Sequence, residues 1–69
     1  MFKYNSIITI FREGEDIPLY KFTYYSNDMN SPAKEAKKWI AENISPERRK
    51  GVFYEIVKVE SEIEIFKGI

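Results

Sequence analysis

The stretch from Ser31 to Ile44 is the one part of the sequence with the periodicity of an amphipathic α-helix. Its small and apolar residues recur at intervals of three and four: Ala33, Ala36, Ile40 and Ile44. Ser31 suits the N-cap, and Pro32 suits the first helical position, where a missing N–H costs little. Pro46 ends the helix, because the residue before a proline is pushed out of the α region. The sequence therefore predicts a single helix of about three to four turns.

Both flanks of this helix are rich in β-branched and aromatic residues, which favour strands. The predicted strands are 4–12 and 17–25 before the helix, and 52–59 and 62–66 after it. Each pair is close enough along the chain to form a hairpin, with polar connections at Glu13 to Asp16 and at Glu60-Ser61. The predicted fold is therefore α+β with the order ββαββ: a four-stranded, mainly antiparallel sheet with one helix packed on one face.

The hydrophobic pattern also predicts how the strands pair. We expect Ile10 opposite Tyr20 in the first hairpin and, through a two-residue connection, Ile56 opposite Ile65 in the second. These registers gather an inward face of Ile8, Ile10, Tyr20, Phe22, Tyr24, Val52, Tyr54, Ile56, Ile63 and Ile65. A shift of one residue in the third strand would bury Phe53, Val57 and Val59 in place of Val52, Tyr54 and Ile56. The sequence leaves open which face of that strand is buried.

The 69 residues are expected to form a single small domain, residues 1–69. The chain has no cysteine and no histidine, so it lacks thiolate metal sites, disulfides and the commonest general base. The segment Met1 to Ser6 has no signal-peptide core, and no stretch reaches the roughly 20 apolar residues that span a membrane. We therefore expect a cytoplasmic protein that binds neither a membrane nor a metal.

Residues suited to catalysis are few. The serines have no histidine to activate them, so a serine nucleophile is not expected. The carboxylates Glu13, Glu15 and Asp16 fit a solvated hairpin tip, because they lack the spacing of a calcium loop. The three glycines are isolated, so there is no phosphate-binding loop of known pattern. We expect no enzymatic activity, no cofactor and no small-molecule substrate.

Positive charge is concentrated around the helix, although the whole chain balances 11 basic against 11 acidic residues. The basic residues of this region are Lys34, Lys37, Lys38, Arg48, Arg49 and Lys50. They could contact nucleic-acid phosphates, with Tyr24 and Tyr25 stacking on bases. The structural alternative is that the lysines solvate an exposed helix face, while the two arginines interact favourably with the C-terminal end of the helix dipole.

A single helix covers only one face of the predicted sheet, so the other face must be polar or must meet a partner. Its expected apolar residues are Ile7, Phe11, Leu19, Tyr25, Phe53, Val57 and Phe66, interspersed with Thr9, Lys21, Thr23, Glu55, Glu62 and Glu64. An apolar patch of this size is typical of an interface. The structural alternative is a strongly twisted sheet with the chain termini folded over this face.

These observations predict a small non-enzymatic interaction protein that forms a homodimer or docks to another protein. The predicted interface residues are Ile7, Phe11, Tyr25, Phe53, Val57 and Phe66. RNA binding on this face is disfavoured, because Glu55, Glu62 and Glu64 would repel a phosphate backbone. Nucleic-acid binding through the basic residues of the helix and the turn after it remains the alternative.

Overall fold

The structure is a computed structural model that describes residues 3–59 and 63–68, with side chains described for residues 3–59. In chain order the elements are β1 (Tyr4–Arg12), β2 (Tyr20–Ser26), α1 (Ser31–Asn43), a 3₁₀ turn (Pro46–Arg48), β3 (Val52–Val59) and β4 (Ile63–Gly68). β1 lies between β2 and β3 and is antiparallel to both, and α1 packs on one face of these strands. The α+β class is confirmed: one helix covers a three-stranded antiparallel sheet.

The first hairpin has the predicted register, with Ile10 opposite Tyr20, but a shorter second strand. β2 begins at Tyr20 and not at residue 17, since Pro18 cannot donate to a strand ladder. Leu19 donates its N–H to the Ile10 carbonyl at 2.8 Å, one residue out of step with the pairing of β2. It therefore packs against the core, and the expectation that Leu19 lies on the uncovered face was wrong.

The buried face of β3 is the one that the favoured register predicted. The buried hydrophobic residues of the described chain are Ile8, Ile10, Ala36, Val52, Tyr54 and Ile56. Half-buried side chains from α1 and β2, among them Trp39, Ile40 and Phe22, pack around them. Because a side chain of this size gains about 1.5 to 3 kcal/mol on full burial, this small cluster is the main source of stability.

The pairing of β4 with β3 differs from the prediction by one residue. The backbone places Phe66 opposite Ile56 and Ile65 opposite Val57, so Phe66 occupies a position on the helix-covered side and the predicted Ile56–Ile65 pair was wrong. Val59 lies opposite Ile63, whereas the predicted register pairs Lys58 with Ile63. The alternation favoured the predicted register, which puts Ile63 and Ile65 on the inward face; the observed shift of one residue places them opposite Val59 and Val57, so that expectation was wrong.

Residues 60–62 lie outside the described residues, and so does the predicted outward position of Glu62. The ββαββ order with a complete four-stranded sheet stays a prediction.

The helix begins one residue earlier than predicted. Ser31 is its first residue, and Asn30 stands at the N-cap without a side-chain cap bond. The Asp28 carboxylate accepts hydrogen bonds from the Asn30 N–H at 3.0 Å and from the Ser31 hydroxyl at 3.2 Å. The bond from Asn30 is the main cause of a lowered pKa at Asp28, against a smaller opposing effect of desolvation. Asp28 therefore supports the start of the helix in place of an N-cap side chain.

Candidate interaction surface

The sheet face turned away from α1, called here the open face, carries a stacked aromatic pair. Phe11 of β1 lies opposite Phe53 of β3, and their ring centroids are 5.2 Å apart with an interplanar angle of 19°. Both side chains are half-buried, although no described element packs over them. The two rings shield each other from water and still present an apolar surface at one end of the open face.

A second apolar group lies further along the same face. Ile7 is opposite Val57, and both are half-buried, while Tyr25 and Val59 near them are 52% and 41% exposed. Of the six predicted interface residues, the open face brings together Ile7, Phe11, Tyr25, Phe53 and Val57. Phe66 does not join them, because its backbone position is opposite Ile56.

A polar row separates the two apolar groups. Thr9 lies at its centre, flanked by Lys21 on β2 and by Glu55 on β3. The two flanking residues carry opposite charges, and the backbone pairing of β4 places Lys67 beside Glu55 at the end of the row. The open face is thus an apolar surface crossed by a charged row, and the interspersed Thr9, Lys21 and Glu55 of the sequence lie together in that row.

The basic residues around the helix do not form a uniform group. Lys34, Lys37, Lys38, Arg48 and Lys50 are exposed. Arg49 is half-buried, and its guanidinium donates to the Ile44 carbonyl at 2.8 Å and to the Ala41 carbonyl at 3.2 Å. These acceptors are carbonyls at the C-terminal end of α1, so Arg49 caps the helix and is less available for a phosphate.

A cavity of about 370 Å³ lies at the corner between the first hairpin and the end of α1, lined in part by Arg12, Trp39 and Arg48. Trp39 stacks on Tyr20 at 4.9 Å with an interplanar angle of 8°, and is half-buried against the core. The Arg12 guanidinium donates to the Arg48 carbonyl at 2.9 Å and pairs with Glu15 at 3.5 Å. These contacts hold the corner together and place no nucleophile beside a base.

Lys58 is a buried cation that the site predictions missed. It is 4% exposed, donates from Nζ to the Met29 carbonyl at 3.3 Å and lies 5.0 Å from the centroid of the Tyr4 ring. Ser6 is opposite Lys58, and its buried hydroxyl has no hydrogen-bond partner in the described chain. A serine beside a lysine can form a catalytic pair, but Ser6 is 0% exposed and no substrate reaches it. The alternation of β3 could have revealed Lys58, because it shares the face of Tyr54 and Ile56.

The described residues contain no group of three or more acidic side chains placed to hold a metal ion. In the same part of the chain no helix is long and apolar enough to cross a membrane. Comparison with protein-family models, with curated proteins and with solved structures found no match for the chain.

Proposed function

We propose that this chain is a non-enzymatic interaction protein whose open face packs against a second copy of itself. The observation that carries the proposal is the stacked Phe11–Phe53 pair on a sheet face that no described element covers. Exposed aromatic residues are enriched at interfaces and contribute much of their binding energy, because burial removes a large apolar area from water.

The polar row favours a second copy over an unrelated partner. If two open faces pack together about a two-fold axis that runs along β1, Lys21 of each copy lies over Glu55 of the other. Thr9 then faces Thr9 at the axis, and the apolar group on either side of the row meets its own counterpart. A surface with this charge pattern is self-complementary, as a two-fold interface requires.

The proposal includes the ββαββ order, with β4 completing the fourth strand of the sheet, and a cytoplasmic location. Two observations support these inferences. The backbone of β4 pairs with β3 along Ile63–Gly68. The chain also contains no cysteine, so it has none of the disulfides that are typical of small secreted domains.

Sedimentation equilibrium of the wild type and of Phe53→Glu tests the proposal. Phe53 points away from the helix, so the variant should keep its far-UV circular dichroism spectrum while its dimerisation is weakened by at least about 2 kcal/mol. Ile17→Glu is the matched control, because Ile17 is 78% exposed in the loop before β2 and should dimerise like the wild type. A wild type that stays monomeric at high protein concentration would exclude self-association.

Nucleic-acid binding is the second candidate, and the exposed lysines of α1 favour it. Lys34, Lys37 and Lys38 are neighbours on the helix surface, and each would release a counterion on meeting a phosphate. If this function is correct, a Lys37→Glu and Lys38→Glu double variant should lose affinity for all sequences alike, and wild-type binding should weaken steeply with salt. Absence of any anisotropy change with single- or double-stranded probes at low salt excludes it.

A further inference from the structure

β2 is an edge strand with little protection against pairing. It hydrogen-bonds to β1 on one side, and within the described residues no strand lies on the other. Proteins usually guard such an edge with proline, a bulge, several charges or a very short strand. β2 spans seven residues, Tyr20–Ser26, has no proline and carries a single charge at Lys21. Its outer N–H and C=O groups therefore form a template for another strand.

We infer that a second copy of the chain pairs with this edge, β2 against β2, in antiparallel orientation about a two-fold axis at Thr23. Thr23 is the middle residue of Tyr20–Ser26, so only an axis at this position lets the whole strand pair with its copy. A shift in either direction leaves part of the strand unpaired and loses backbone hydrogen bonds. The length of the strand thus selects one register.

The side chains of β2 fit that register. Lys21 faces Tyr25 of the second copy on the open-face side, which places each ammonium beside an aromatic ring and keeps the two lysines apart. Phe22 faces Tyr24 of the second copy on the helix side, which is a favourable aromatic pair. Tyr25 is 52% exposed in the isolated chain, so its ring is accessible for this contact.

Edge pairing about this axis puts both helices on the same side and joins the two open faces into one wider surface. It uses backbone groups and not the packing of Phe11 on Phe53. The inference therefore goes beyond the proposed function and does not depend on it.

Disulfide trapping tests this register directly, since the chain has no cysteine of its own. In the proposed pair the two Thr23 Cα atoms lie about 4.5 to 5.5 Å apart, which is within the range of a disulfide. Under mild oxidation Thr23→Cys should give a covalent dimer in about tenfold higher yield than Lys21→Cys, whose Cα atoms would lie roughly 14 Å apart.

The control at Lys21 is on the same strand and the same face, so random collisions should trap it as often as Thr23→Cys. Equal yields for the two variants, or no covalent dimer for Thr23→Cys, would overturn the inference. Circular dichroism of each reduced variant checks that the fold is intact. We expect both cysteines to be tolerated, because Lys21 and Thr23 are exposed.

Combining Thr23→Cys with Phe53→Glu separates the two interfaces. Edge pairing predicts that the covalent dimer still forms in the combined variant, even where Phe53→Glu has abolished association through the open face. If Phe53→Glu abolishes trapping at Thr23, the contact at β2 is a consequence of open-face packing and the inference fails. If Thr23→Cys is still trapped and Phe53→Glu sediments like the wild type, edge pairing through β2 is supported and the open-face proposal fails.

Discussion

The two faces of the same sheet bury chemically similar residues to different extents. Ile7 and Ile8 are adjacent isoleucines in β1, yet Ile8 is 0% exposed under the helix and Ile7 is only half-buried on the open face. Phe53 and Tyr54 differ in the same way on β3. Residue type therefore does not decide burial here. The helix accounts for the difference within these two pairs, and the open face has apolar residues that no described element covers.

The largest expected effect tests the covered face. Ile8→Ala should destabilise the fold by about 2 to 5 kcal/mol, because it leaves a cavity among fully buried side chains. Ile7→Ala in the monomer should cost clearly less, since Ile7 already contacts water. Urea unfolding at low protein concentration measures both values. Equal losses would show that the two faces are buried alike in the monomer.

The next largest effect tests how the C-terminal end of α1, the helix that covers one face of the sheet, is held. Arg49→Ala removes two hydrogen bonds to carbonyls at the end of α1 and should destabilise the fold by about 1 to 2 kcal/mol. Arg48→Ala is the matched control, because the Arg48 side chain is exposed and only its backbone carbonyl receives a bond from Arg12. Thermal unfolding of both variants checks the ranking. A larger loss for Arg48→Ala would contradict the capping role of Arg49.

The smallest effect is at the other end of the helix and depends on pH. The pKa of Asp28 is lowered in the folded chain, chiefly by the N–H of Asn30, so its contribution to stability is present above the unfolded pKa. That contribution is lost as the pH falls through the folded pKa. The Tm of Asp28→Asn, measured by circular dichroism, should therefore fall less than the Tm of the wild type when the pH is lowered below about 4. Identical pH profiles would show that the Asp28 carboxylate does not support the helix.

Much of the fold could be predicted because local patterns determine it. The alternation in β1 and β3 identified the buried face, and Pro32 and Pro46 marked the ends of the helix to within about two residues. The position of Phe66 was predicted wrongly, because the alternation of Ile63 and Ile65 favours one register and β4 pairs with β3 one residue away from it. Leu19 packs inward because its N–H donates to the Ile10 carbonyl, one residue away from the register in which Ile10 pairs with Tyr20.

The candidate site was predictable in its residues but not in its arrangement. Sequence alternation placed Ile7, Phe11, Phe53 and Val57 on one face, and the register confirms that they share it. The division of that face by Thr9, Lys21 and Glu55 required the pairing of three strands. Arg49 was grouped with the free cations, because a charge in a turn gives no sign in the sequence of which carbonyls it will reach.

The central claim is that a second copy covers the open face, and the methyl groups of Ile7 and Ile8 test it most directly. A soluble paramagnetic agent broadens methyl resonances that water reaches, and its effect is followed by NMR as protein concentration rises from low to high micromolar. The account predicts that broadening of Ile7 decreases with concentration, because dimerisation buries it, while Ile8 stays protected throughout. Broadening of Ile7 that does not change with concentration would contradict the claim.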